Sequence, residues 1–203
     1  MLKPNEVQKM KAIAGLVLLA ICFQNFKFVD ELKITLTPIN EDSRAAHAKE
    51  LLGKFYKDSF AAQAENINAM HFSVFNDVYR SLPKSHKAKA LDVSSTIIDE
   101  AFRYDFDPVF VMAVIKTESS FNPKAIGGIG EVGLMQLRPE TAEWIAKISG
   151  IEWRGREALK NPVYNVRLGV AYLHWLRTKF GSSPNKYMSA YNMGAAKVRR
   201  MYA

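Results

Sequence analysis

The sequence predicts a mainly α-helical protein, on three observations. Apolar residues recur at the three- and four-residue spacing of a helix through most of the chain from about Glu41 onward. Prolines at 108, 139, 162 and 184 stand in front of such runs, where their fixed φ and missing N–H suit a first helical turn. Strand signal is scarce outside Lys33–Thr37 and the glycine-rich stretch "NPKAIGGIGEVG".

The 203 residues suffice for one domain and an appendage, and 48% hydrophobic against 24% charged residues is a globular composition. The formal net charge of +8 favours polyanionic partners: nucleic acid, anionic lipid or an acidic cell-wall polymer. Nucleic acid is not expected, because the basic residues are not interleaved with aromatics and no DNA- or RNA-binding motif is present; the densest cluster is Lys84, Lys87 and Lys89. One cysteine, Cys22, excludes an internal disulfide and a multi-cysteine zinc site. The four histidines, His47, His71, His86 and His174, lack the spacing of a helical metal pair, so neither metal nor cofactor is expected.

Residues 1–25 place Lys3, Lys9 and Lys11 before an apolar run from Ala12 to Phe23. A basic flank and an apolar core shorter than the roughly 20 residues of a membrane span are the pattern of an export signal. Ala20 and Cys22 supply the small residues of a cleavage site. The alternatives are a retained anchor, lipidation at Cys22, which Ile21 disfavours, or a buried helix of the mature fold.

From 26 to 85 the sequence reads as a helical extension to which no role is assigned. Lys33–Thr37 alternates like an edge strand or linker, and Pro38 and Asn40 signal a turn. Helical spacing then runs from Glu41 to Leu82, with Leu51, Leu52, Phe55, Phe60, Phe72, Phe75 and Tyr79 as candidate buried positions, and "RSLPKSHK" breaks it.

A helix follows from Ala88 to Tyr104. In "DFDP", Asp107 caps and Pro108 starts the next, "FVMAVIKTESSF", which Pro123 and the glycines end. Three more are predicted, at Pro139–Ser149, Pro162–Phe180 and from Pro184 to the end.

Glu118 is the residue of interest, because its helix neighbours seven, four and three positions earlier are Val111, Val114 and Ile115. Lys116 points to another side. A carboxyl among aliphatic groups loses hydration, its pKa rises, and it becomes able to hold and donate a proton near neutral pH. Taken alone, the helix better fits a structural glutamate paired with a base or one facing solvent at the helix end. Downstream, "GGIGEVGLMQLRPETA" suits a cleft wall with Gln136 as a hydrogen-bonding group, Leu134 and Met135 being core or contact residues. "SAYNMGAAKV" offers Tyr191 and Asn192, a flat face with a polar tip and a donor–acceptor amide, both suited to a sugar carrying an acetamido group.

In their order, "AVIKTESSFNPKA", "GLMQLRPETA", "NPVYNVRLGVAYLHWLRTKFG" and "AYNMGAAKV" closely resemble the successive signatures of the soluble lytic transglycosylases (SLT), enzymes that cut bacterial peptidoglycan. The resemblance implies a lysozyme-like helical catalytic domain of the goose-type lysozyme kind at 86–203, behind the extension at 26–85, in a protein exported to the periplasm or cell envelope. It implies that Glu118 protonates the glycosidic oxygen between N-acetylmuramic acid and N-acetylglucosamine and then acts as base. The muramic acid's 6-hydroxyl attacks its own C1, giving a 1,6-anhydro product, so the second carboxylate of most glycosidases is not needed. Peptidoglycan strands are the implied partner. Matched residue by residue, Ser119, Met135, Gln136, Tyr172, Tyr191 and Asn192 are the implied substrate-contact residues, and Asn165 and Gly169 are structural.

Three departures stand out. Gly127 occupies a place where the family often has a serine facing the reacting sugar, and Glu131 one where it usually has alanine. Family domains also continue past "AYN", whereas the sequence reaches Ala203, so that side of the cleft is expected to be incomplete. A goose-lysozyme-like hydrolase using Glu131, or a catalytically idle wall-binding module, are the competing readings.

Overall fold

The computed structural model of the chain describes residues 40–59, 62 and 67–202. The expected export segment at 1–25 with Cys22, the candidate strand at 33–37 and Phe60 lie outside them. The described residues belong to one compact unit, Thr37–Ala203, built of helices. In chain order these are α1 (Glu41–Leu52), α2 (Ile67–Ser81), α3 (Ala90–Arg103), α4 (Pro108–Ser119), α5 (Pro139–Ile148), α6 (Pro162–Lys179), α7 (Pro184–Met193) and α8 (Ala195–Met201). Short 3-10 turns occupy Gly53–Asp58, Lys84–Lys89 and Arg156–Lys160, and the only extended pairings among the described residues are the bridges Ile126–Val132 and Val132–Leu137.

Helices start where their side chains can satisfy the first free N–H groups. Asp107 Oδ1 accepts the N–H of Val109 at 2.9 Å ahead of Pro108, and Asn161 Oδ1 accepts that of Tyr164 at 3.2 Å ahead of Pro162. The expected last helix is two, because the chain breaks at Gly194, whose φ of +89° no helix accommodates.

α3 and α6 form the centre. α2 and α4 pack on α3, α5 and α7 on α6, and the shared core includes Val93, Ile97, Val111, Ile115, Leu168 and Leu173, all fully buried. The described part of the extension contributes to this core instead of standing apart. On α2 the buried stripe is Met70, Val74, Val78 with Leu82 beyond it, positions four apart. This corrects the sequence expectation: Phe72 is 70% exposed, Phe55 67% and Tyr79 47%, and Leu52 is exposed too, while Leu51 and Phe75 are half-buried. α2 has apolar residues on more than one face, and the face that packs on α3 is the one carrying the aliphatic row. Phe75 and Tyr79 instead stack on each other at 5.9 Å, with the Lys87 ammonium over the Tyr79 ring at 4.7 Å.

α1 is fastened to the far end of the chain. His47 is fully buried, its ring edge-on to Phe106 and Phe110. Its Nδ1 accepts the Asp107 N–H at 3.1 Å, and its Nε2 lies 3.4 Å from Tyr187 Oη. Burial, and next the charge of Arg177, lowers its pKa to about 3, so the ring is neutral. Glu50 completes the attachment by taking the Arg177 guanidinium with both oxygens, at 2.5 Å and 3.1 Å.

Candidate active site

Glu118 lies in the last turn of α4, on the face whose preceding members Val111, Val114 and Ile115 are buried, and it is itself half-buried at the point where that face leaves the core. Burial pushes its carboxyl above the ordinary value, and the charge of Glu131 pushes it the same way. The final turn of a helix, with its unpaired carbonyls, is a further deterrent to negative charge. Immediately after it Ser120 and Phe121 adopt left-handed backbone (φ +49° and +61°), turning the chain out of the helix into the glycine-rich segment.

That segment folds into a tight double hairpin that walls the site. Gly127 N–H donates to Glu131 O at 2.9 Å, Gly133 N–H to Ala125 O at 2.9 Å, and Val132 and Leu137 exchange N–H···O bonds of 2.9 Å and 3.1 Å. At its end Gln136 takes a left-handed φ of +44°, costly for a residue with a Cβ. Its side chain offsets that cost in part by donating Nε2–H to Gly133 O at 2.8 Å and to Ala125 O at 3.3 Å. From behind, fully buried Asn165 on α6 holds the hairpin through two of its backbone groups, Met135 N–H and Val132 O, and ties it to Leu159 O of the 156–160 turn, and Gly169, one turn on, lets Met135 lie directly against the helix.

Tyr191 on α7 closes the opposite side. Its hydroxyl donates to the Met135 carbonyl at 2.7 Å, and its ring tilts against Tyr172 at 5.4 Å. Burial, followed by the nearby Glu118 and Tyr172, holds its phenol well above the ordinary value, so it stays a donor. Tyr172 continues into an aromatic stack with Trp175 at 6.3 Å, on which Trp144 sits edge-on at 4.7 Å.

Between these walls lies a cleft of about 290 Å³, and Glu118 opens into it together with Gln136, Tyr172, Tyr191 and Asn192. Four of the six sequence-matched contact residues thus share the cleft with the acid. The other two do not. The Ser119 hydroxyl is spent on backbone carbonyls, donating to Leu134 O at 2.7 Å and lying 3.2 Å from Ile115 O, which pins the hairpin to the end of α4. Met135 has a fully buried side chain against Gly169; only its peptide groups serve the site, through Asn165 and Tyr191. Glu131, Arg138 and Thr141 also line the cleft. Arg138, paired with Glu140, was not among the sequence candidates; its place two positions past Gln136 is the one signal that could have pointed to it.

The arrangement combines one carboxyl whose hold on its proton is strengthened by burial, a phenol and two amides to orient a polar ligand, and aromatic faces on which a sugar ring can rest.

Residues 95–203 match the family model described as the transglycosylase SLT domain. Over 111 residues the chain is 38% identical to the membrane-bound lytic murein transglycosylase C of Histophilus somni, covering 50% of this chain and 31% of that protein. Over 175 residues it is 29% identical to the protein of the same name from Yersinia pestis, covering 81% and 47%. It is 34% identical over 91 residues to the soluble lytic murein transglycosylase of Escherichia coli, covering 44% of this chain and 14% of that one. The chain therefore spans less than half the length of these relatives. Among solved structures, an inactive mutant of lytic transglycosylase Slt from Pseudomonas aeruginosa superimposes with a TM-score of 0.51 at 21% identity, covering 80% of this chain and 31% of that one, a likeness of fold.

Proposed function

The chain belongs to the transglycosylase SLT domain family, with its mainly α, lysozyme-like fold, and from that premise we propose that it is an enzyme of the bacterial cell envelope that cleaves peptidoglycan as a lytic transglycosylase. The observation that carries the reading is the placement of Glu118: a carboxyl raised by burial, opening into a cleft beside Tyr191, Asn192 and Gln136.

In this reading Glu118 enters protonated and gives its proton to the β-1,4 glycosidic oxygen as the bond to muramic acid C1 breaks. The departing N-acetylglucosamine carries that proton away, and the electron deficit falls on C1. The same sugar's 6-hydroxyl oxygen then bonds to C1 and its proton passes to the Glu118 carboxylate, which regenerates the acid and forms the 1,6-anhydro ring without water. Tyr172 and Tyr191 are the sugar platform, Gln136 and Asn192 the orienting amides, and Met135 acts through its backbone. Export through residues 1–25, cleaved or kept as an anchor, places the enzyme with its substrate; two of the relatives are named membrane-bound.

A hydrolase reading has one observation in its favour: Glu131 lines the same cleft. Mass spectrometry of muropeptides released from purified peptidoglycan separates the two. Products lighter by one water than hydrolytic ones, and absent with Glu118→Gln, support the transglycosylase; hydrated reducing ends support the hydrolase, and no release from the wild type overturns both.

A further inference from the structure

A side chain at position 127 and the side chain of Glu131 compete for one space. A Cβ added to Gly127 would lie well inside contact distance of Glu131 Oε2, 3.1 Å from Glu131 Cβ and 2.8 Å from Gln136 Oε1. The Glu131 carboxylate reaches that space because its own turn folds it back: Gly127 N–H donates to Glu131 O at 2.9 Å, and Ile129 N–H donates to Oε2 at 3.1 Å. Among the described residues no donor reaches the second oxygen, Oε1, and the side chain lines the same cleft as Glu118.

We propose that Gly127 and Glu131 form one coupled substrate-contact unit, in which the absence of a side chain at 127 lets the Glu131 carboxylate become the polar group that this wall of the cleft turns to the sugar beside Glu118. The proposal rests on the reading of the cleft as a peptidoglycan site. Ionised, the carboxylate is an acceptor only, so the ligand group it selects is a donor: a sugar hydroxyl or an acetamido N–H. The bond from Ile129 fixes its direction in advance, which spares the ordering cost of a free side chain. Its charge also favours the protonated form of Glu118, the same sense in which burial acts.

The test is a double-mutant cycle in the full chain: Glu131→Ala, Gly127→Ser and the pair, assayed for muropeptide release, with melting temperatures to establish folding. Glu131→Ala is expected to lower kcat/KM about tenfold, the typical effect of one hydrogen bond to a charged group. Gly127→Ser alone displaces the carboxylate and is expected to lose at least as much, whereas in the pair the nearest obstacle, Oε2, is gone, the end of the Gln136 side chain has to give way, and activity returns to the Glu131→Ala level or above it. Affinity for a chito-oligosaccharide, measured calorimetrically in the Glu118→Gln background, is expected to fall about tenfold with Glu131→Ala and to depend on position 127 in the same coupled way. This binding readout stands even when no muropeptide is released, so a failed functional reading is told apart from a failed coupling. Additive effects of the two substitutions, unchanged rate and binding in Glu131→Ala, or conversion of hydrated to anhydro products on removal of Glu131 would each overturn the proposal.

Discussion

Asn165 Oδ1 accepts the backbone N–H of Met135 at 2.7 Å, and this bond ties the central helix to the wall of the cleft. The same amide donates through Nδ2 to Val132 O and Leu159 O, at 2.9 Å each, so one side chain serves three backbone groups, sharing Val132 O with the Leu137 N–H. Asn165→Leu removes that bond from all three at once, leaving Val132 O only the Leu137 N–H. We expect a loss of about 2 kcal/mol or more in urea unfolding, at roughly 1 kcal/mol or more for each of the other two groups.

The glycines on either side of that amide are expected to differ. Gly133 has a φ of +84°, and an added Cβ would run into Leu159 O and Asn165 Nδ2, neither of which has room to move. At Gly169 the obstruction is the flexible thioether of Met135. Thermal melts should rank Gly133→Ala as the more damaging, costing about 3 kcal/mol or more, with Gly169→Ala at about 1 to 3 kcal/mol.

In the proposed reaction Glu118 is protonated when it acts as acid, and burial with the Glu131 charge raises its pKa. The rate of muropeptide release should therefore persist above the ordinary carboxylate range and fall as pH rises through the raised value. Glu131→Gln removes one of the two causes, so this falling limb should move to lower pH while the limb set by burial remains. Glu118→Gln should reduce kcat by about a hundredfold or more at every pH, the usual contribution of a positioned acid, and leave the fold intact.

His47 predicts a stability profile of its own. Its folded pKa, about 3, lies below the ordinary 6.5, so the neutral ring contributes stability that is fully present above pH 6.5 and lost as pH falls toward 3. The slope approaches about 1.4 kcal/mol per pH unit below 6.5. His47→Gln retains an acceptor for the Asp107 N–H and does not titrate; the difference between the two urea midpoints should narrow or reverse from pH 7 to pH 5.

The site was legible where local periodicity decides it. Val111, Val114, Ile115 and Glu118 share a face in the sequence and in the structure, and Asp107 with Pro108 begins their helix as the spacing implies. Local rules do not say which of two apolar faces meets the core, and on α2 large aromatics suggested Phe72 and Tyr79 where the aliphatic row Met70, Val74 and Val78 is inside. Nor do they reveal that Met135 serves Tyr191 with a carbonyl, or that Ser119 turns its hydroxyl to Leu134, since both follow from how the hairpin meets α7 and α4. The seat of His47 was invisible for the same reason: its walls come from residues about sixty and more positions away.

The attachment of α1 to Arg177 bears on how the chain reaches this state. Glu50 and Arg177 are separated by 127 positions, and His47 and Tyr187 by 140. Closing so long a loop is entropically costly until α3, α4 and α6 already hold Phe106, Phe110 and Arg177 in place. α1 is therefore expected to dock after α3, α4 and α6 and to let go before them. Its amides should exchange with solvent ahead of those of α3 and α6, and a variant such as Arg177→Ala should speed that local opening well before it lowers the global midpoint.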